Sequence, residues 1–318
     1  MNKYYQVITF IFLAAGLSAC SLLPSSNGGT KSNNQQQNQS VFIDEVQAGM
    51  HLELHLDGYY RYGLYPKSNV NDKSLIEELN ALSKTESNGW YLFEGLYYAK
   101  TVSEPAESLY FFENGEPISR GKTYWFRCEP IEWQRLNIQE SGNTYVLMTR
   151  YLIEASAYHG HQGVRTIDGV TVQPSNYEHS DVREWLNGEF FAKAFGLNDN
   201  NVMVSYVDNS KGYECNDTDE LVYLPSVDDL TNASYGFPTS ISSTPERECM
   251  VTDWARARGA KCEEINTNKY IGYYWSRSAT DYNPTYYVSN INYNGYVGSN
   301  NVTLTDSCVR PMVTVKAN

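Results

Sequence analysis

The chain has 318 residues, with 24 Lys and Arg against 37 Asp and Glu and a formal charge of −13, a length that can bury one large core or two small ones. An acidic balance repels phosphate backbones, and no stretch gathers Lys and Arg among aromatics, so nucleic acid is excluded as a partner. The 27 tyrosines are the unusual count, because Tyr joins a large apolar face to a polar tip and suits cores and binding surfaces alike.

Residues 1–19 carry one charge, Lys3, and then the apolar run Val7 to Leu17, broken only by Thr9 and Gly16. This is the plan of a secretory signal, and the run is too short to span a bilayer comfortably. Leu17-Ser18-Ala19-Cys20 follows in register as a lipoprotein cleavage box. The expectation is a signal peptide over 1–19, cleavage before Cys20, and acyl chains of the palmitate type on that residue. Each buried methylene contributes about 0.8 kcal/mol, so two or three chains hold the protein on the lipid bilayer. Residues 20–40 form the anchor and a flexible linker, since Ser25 to Ser40 has no aromatic residue and a single charge, Lys31. The expected location is the cell envelope: the outer membrane where the host has two membranes, because Ser21 stands where Asp would retain the protein inside, and the cell membrane otherwise.

A single globular α+β domain is expected over 41–318, with 41–121 as a candidate N-terminal subdomain. His51 to Leu56 alternates as a strand with three leucines on one face. Leu75, Ile76, Leu79 and Leu82 recur at helical spacing behind Asp72 or Ser74, and Asn88-Gly89 turns the chain. Strands are predicted at Trp90 to Tyr98, Leu109 to Phe112 and Lys122 to Trp133, with Thr144 to Tyr151 as hairpin partner of the last. Ser180 opens the clearest helix, with Val182, Trp185, Leu186, Phe190 and Ala194 along one stripe and Gly196 at its end. Glu220 to Leu224 reads as a buried strand, Thr252 to Arg258 as a short helix closed by Gly259, and Tyr270 to Ser276 and Val309 to Val315 as strands. No repeating βαβ unit appears, which favours α+β over a doubly wound fold.

Gly63-Leu64-Tyr65-Pro66-Lys67, Asn88-Gly89-Trp90-Tyr91, Tyr98-Ala99-Lys100, Tyr124 to Trp133, Ser180 to Asn187 with its Trp-Leu-Asn end, Val207 to Ser210, Trp275-Ser276-Arg277-Ser278 and Val309-Arg310-Pro311 resemble, in order, a bacterial domain of unknown function, the six-two-seven-three type. The resemblance runs from about Tyr59 to Val315 and implies a surface or secreted protein without assigning an activity. Thr252 to Gly259 and the Arg-Ser to Val-Arg-Pro ending are more distantly similar to the formylglycine-generating-enzyme branch of C-type-lectin-like folds. That likeness implies a mixed domain with short strands, a few helices and long polar loops. The cysteine pair those enzymes carry before Arg-Ser is replaced here by Tyr273, Tyr274 and Trp275.

Tyr270 to Asn301 mixes tyrosines with Asn, Ser and Gly, the vocabulary of a binding surface: rigid aromatic area beside adaptable hydrogen-bonding groups. Ligand-binding candidates are Tyr274, Trp275, Arg277, Tyr282, Tyr286, Tyr287, Asn292, Tyr293, Asn294 and Tyr296. The other reading of this segment is a sheet whose tyrosines pack beneath polar loops. Tyr and Asn codons are also those rewritten in retroelement-diversified binding proteins. Asp217 and Asp219 are calcium candidates, and no other cofactor is expected. His159, His161, His179 and Asp181, or His51, Glu53 and His55, are the remaining ligand-type clusters, and solvated loops and a half-exposed strand are the favoured account of them. With Cys20 lipidated, five cysteines remain, and a Cys249–Cys262 disulfide is expected across the short helix. No residue stands out as catalytic. The expected function is a membrane-tethered ligand-binding or adhesion module for a glycan or protein, with an enzyme acting on envelope or host glycans as the rival class.

Overall fold

A computed structural model describes residues 50–138, 142–196, 199–280 and 282–317. The chain divides into two units, Met1–Gln39 and Ser40–Asn318, and every described residue belongs to the second. The signal peptide, Cys20 and the linker to residue 40 lie outside the described residues. Among the described residues no helix is long and apolar enough to cross a membrane.

Strands dominate, with a few short helices, and the class is α+β. The large sheet is built on the long strand Thr123–Arg135, whose run of aromatic and branched residues suits a sheet covered on both faces. Tyr124, Trp125, Phe126, Cys128 and Trp133 are all buried. This strand pairs antiparallel with Tyr60–Asn69, Leu96–Val102 and Thr144–Thr149. Pairing with Tyr60–Asn69 slips at two places, between Arg61 and Leu64 and between Pro66 and Ser68. The second slip follows from Pro66, which has no N–H to give the ladder. At the first, Gly63 takes a φ of +72°, and a Cβ there would lie 2.8 Å from the Phe195 ring, so only glycine serves.

The final strand, Met312–Lys316, lies between Thr144–Thr149 on one side and Val202–Met203 and Val222–Tyr223 on the other. Chain ends far apart in sequence therefore share one sheet, and the strands from 41–121 belong to it with the rest. The expected Glu220 to Leu224 strand divides into Thr218–Glu220 and Val222–Tyr223, which serve different sheets.

Helix Lys73–Ala81 is capped by Asp72, which accepts from the Ser74 and Leu75 N–H groups. Ser180 caps the longer helical stretch by accepting from the Arg183 N–H. That stretch runs as α-helix over Asp181–Trp185, π-helix over Leu186–Phe190 and α-helix over Phe191–Ala194, and Gly196 closes it at a φ of +81°. The π turn has a side-chain cause in Asn187. Its Nδ2 donates to the Arg183 carbonyl at 3.1 Å and the Val222 carbonyl at 2.9 Å, while its Oδ1 accepts from the Leu221 and Val222 N–H groups at 2.8 and 3.1 Å. One amide thus ties the helix to the sheet at a loosened turn.

Two features depart from the sequence reading. Only Glu53–Leu54 is strand within His51 to Leu56; Leu52 is buried, whereas Leu54 and Leu56 are exposed, so the alternation did not mark a core face. Cys249 and Cys262 are buried free thiols rather than a disulfide. The reason is a strand between them: Gly272 donates its N–H to the Cys249 carbonyl and is the register partner of Cys262. Two strand spacings separate the pair by about 9–10 Å, beyond the roughly 7 Å that a disulfide bridges.

Candidate functional site

The Tyr/Asn-rich segment folds into the five-stranded sheet whose order is Val297–Asn301, Tyr287–Ile291, Tyr274–Ala279, Cys308–Val309 and Glu154–Ala155. The ten ligand-binding candidates fall into three groups. Tyr274, Trp275 and Arg277 are core residues, and the structure corrects their assignment to a ligand surface. The Tyr274 hydroxyl donates to the Arg247 carbonyl at 2.9 Å and accepts from Arg310 Nη1 at 3.1 Å, and Trp275 Nε1 donates to the Ser156 carbonyl at 2.8 Å. Arg277 Nη1 reaches the Leu224 carbonyl at 2.6 Å and Asp229 Oδ2 at 2.9 Å. The central strand of a sheet covered on both faces has no side free for a ligand.

Asn292, Tyr293, Asn294 and Tyr296 occupy the hairpin turn that joins Tyr287–Ile291 to Val297–Asn301. Buried Arg247 clamps this turn through the Gly295 carbonyl at 2.7 Å, and the Thr244 N–H donates to the Asn294 carbonyl. Gly295 is required there: its φ is +72°, and a Cβ would lie 2.0 Å from the Thr244 carbonyl oxygen. Tyr296 is exposed, and Tyr293 packs on Tyr273 at 5.6 Å.

At the other end of the hairpin, Tyr286 and Tyr287 join Asn283, Asn301, Gln162 and Gly163 around an open depression of about 560 Å³. Asn283, at a φ of +44°, accepts the Tyr286 and Tyr287 N–H groups on its carbonyl, both at 3.1 Å, and so fixes the turn that leads into the strand. Exposed Tyr282 holds the Tyr287 ring edge-on at 5.1 Å. The opposite wall is the loop 159–163, bound to the strand's exit by the His159 N–H to the Val302 carbonyl and by Gln162 Nε2 to Thr303 Oγ1 at 3.2 Å. Beneath it, Asp181 Oδ1 lies 2.7 Å from His159 Nδ1, and Asp181 Oδ2 accepts the Gly160 N–H at 2.7 Å. Burial pulls the His159 imidazole below its ordinary pKa against the attraction of Asp181, and neighbouring Arg165 and His161 act in the same direction as burial. His159 is therefore neutral near pH 7, with Nδ1–H facing the carboxylate.

The sequence missed Gln162 and Gly163 as site residues. Their only signal was proximity to His159-Gly160-His161, and nothing local places that loop against residues 283–301.

The oxygen set considered for calcium disperses. Asp217 Oδ1 accepts the Asn209 N–H at 2.8 Å, Asp219 is exposed opposite Tyr206, and Glu220 on the same strand is buried against Arg183 and Asn187. Among the described residues no group of three His, Cys, Asp or Glu side chains is placed to hold a metal. The densest carboxylate cluster, Glu129 and Glu132, is bound by Lys67 Nζ at 3.5 and 2.6 Å, and Arg150 reaches Glu132 at 2.7 Å. Burial alone would raise the Glu132 carboxyl, but Lys67, Arg150 and Arg61 outweigh it and hold the group below its ordinary value, the wrong direction for a general acid. The crevices beside this cluster hold about 20 Å³ each.

Residues 142–317 match the family described as Domain of unknown function (DUF6273). The chain belongs to this family. The match to DUF6273 starts at 142, so the motifs between Gly63 and Trp133 precede it, although their strands share the large sheet with the family's last strand. Comparison with curated proteins and with solved structures gives no match. Within the DUF6273 stretch, Asn187, Arg277 and Arg310 are framework: each spans two elements, Arg277 and Arg310 through buried hydrogen bonds and Asn187 through part-buried ones. The depression's lining comes from the loops holding Gln162, Gly163, Asn283 and Tyr286 and from the strand ends at Tyr287 and Asn301.

Proposed function

We propose that this protein is an exported lipoprotein, anchored by acyl chains on Cys20, whose C-type-lectin-like domain binds a glycan or protein ligand through the part of the Tyr/Asn-rich segment that reaches the surface. The observation that carries the binding reading is the depression where Tyr286, Tyr287, Asn283 and Asn301 meet Gln162 from a distant loop. Concave surfaces with aromatic rings and a few convergent polar groups are where ligands bind. Anchoring is supported by the register of Leu17-Ser18-Ala19-Cys20 with the preceding apolar run. The lectin-like reading is supported by short strands joined by long polar loops and by the Arg277 and Arg310 motifs serving as buried framework.

Two experiments test this. Cys20→Ser should abolish palmitate labelling and release the protein from membranes; retained labelling would defeat the anchor. Binding to a glycan or protein array should be lost on Tyr286→Ala, and binding that survives this change would remove the depression from the reading.

A further inference from the structure

The hydrogen-bonding groups of the depression are already half spent, and which halves remain defines the ligand. Asn301 Oδ1 accepts the Thr303 N–H at 3.0 Å and Thr303 Oγ1 at 2.9 Å, which turns Nδ2 outward as a free donor. Asn283 Oδ1 accepts Thr285 Oγ1 at 2.7 Å and likewise leaves its Nδ2. Gln162 gives one N–H of its Nε2 to Thr303 Oγ1 at 3.2 Å, which leaves its Oε1 as an acceptor and the second N–H as a donor. The Tyr286 and Tyr287 hydroxyls, each donor and acceptor, have no hydrogen-bond partner among the described residues. Every lining residue among the described residues is uncharged, on a chain whose formal charge is −13. Among the described residues no aliphatic side chain lines the depression, so its apolar area is the ring face of Tyr286 and Tyr287.

Resting on the binding role proposed above, we infer that the depression takes an uncharged saccharide, with Asn283 and Asn301 donating to its oxygens, Gln162 accepting from a hydroxyl, and the Tyr286 and Tyr287 rings covering its C–H faces. Hydroxyl groups both donate and accept, which suits a wall offering amide donors, amide acceptors and two phenols. A carboxylated or sulfated sugar would find donors but no cation, and would meet Gln162 Oε1 as a repelling oxygen. Gln162 Oε1 contributes to specificity, as an acceptor that a saccharide hydroxyl satisfies and a carboxylate or sulfate does not.

The test uses the whole chain in detergent against an array of neutral hexose and N-acetylhexosamine oligosaccharides beside uronate, sulfated and sialylated ones. Asn301→Asp keeps the oxygen that holds Thr303 while removing the donor, and Gln162→Leu removes the acceptor. Each should weaken binding to a neutral oligosaccharide about two- to tenfold, the worth of one neutral hydrogen bond. Tyr286→Ala should abolish it, with urea unfolding curves confirming that the variants fold. Preference for acidic sugars, indifference to both amide changes, or loss on Tyr286→Ala seen only with a purified polypeptide would overturn the saccharide assignment and leave the binding face standing. Array binding untouched by Tyr286→Ala would overturn the face itself, and no binding to any oligosaccharide would overturn the inference.

Discussion

Removing the Asp181 carboxylate should loosen the Gln162 wall of the depression without touching any residue that lines it. In Asp181→Ala the Nδ1–H of His159, a residue only 1% exposed, loses its acceptor, and a buried donor left unpaired costs about 1–3 kcal/mol. The carboxylate also sits in the first turn of its helix, a placement that contributes about 0.3–1 kcal/mol, discounted here because the side chain is half exposed. Gly160 is exposed and its N–H can turn to water at little cost. The sum is a loss of about 2–3 kcal/mol, read by urea unfolding at pH 7.5, with faster exchange of the His159 amide as the local signature. The burial of His159, working against the pull of Asp181, fixes a pH dependence. Because the folded state lowers the His159 pKa below its ordinary 6.5, the contribution is full above pH 6.5 and is lost as pH falls through the lowered value. Urea midpoints of wild type should decline below that pH, and His159→Gln should remove that share of the decline. A stability loss in Asp181→Ala below about 0.5 kcal/mol, or parallel wild-type and His159→Gln profiles, would refute the reasoning.

Asn187→Leu leaves the Leu221 and Val222 N–H groups without acceptors and should cost about 3 kcal/mol or more in urea unfolding; a change within about 1 kcal/mol would show the tie is unimportant. Gly295→Ala, which meets the Thr244 carbonyl at a left-handed φ, should lower stability by about 1–3 kcal/mol. Gly188→Ala is its control: nothing lies within 4 Å of the new Cβ, and the exchange should be neutral or stabilising by up to about 1 kcal/mol, with equal thermal shifts in the two variants counting against the clamp. Cys249, Cys262 and Cys308 are buried, and burial raises all three thiols, Cys262 to about 12, so they should resist alkylation in the native protein and react in denaturant. A non-reduced peptide map joining Cys249 to Cys262 would contradict the strand that separates them.

Local signals were legible where the physics is local. Asp72, Ser180 and Thr252 cap helices because a side-chain oxygen next to orphan N–H groups acts within three residues, and Gly196 and Gly259 close helices because only glycine takes a positive φ freely. The hairpin partner of the long strand was likewise readable, since Thr144–Thr149 follows after a short turn. Patterning failed where burial depends on distant chain. Leu52, Leu54 and Leu56 alternate like a core strand, yet the sheet covers only the first. Tyr274 and Trp275 have the same composition as the exposed tyrosines, but strands on either side place them at the centre of the sheet.

By itself the sequence determined the α+β class and the helix caps at Asp72, Ser180 and Thr252, and it marked the Tyr/Asn segment as the place to look. Only the tertiary structure decided which of those tyrosines face solvent, that Gln162 joins them across more than a hundred residues, and that Gly272 holds Cys249 and Cys262 apart. Capping, turn and cleavage signals are written within a few residues of where they act. Exposure, amide orientation and thiol spacing are set by which strand lies alongside, and that neighbour is chosen by the packing of the whole chain.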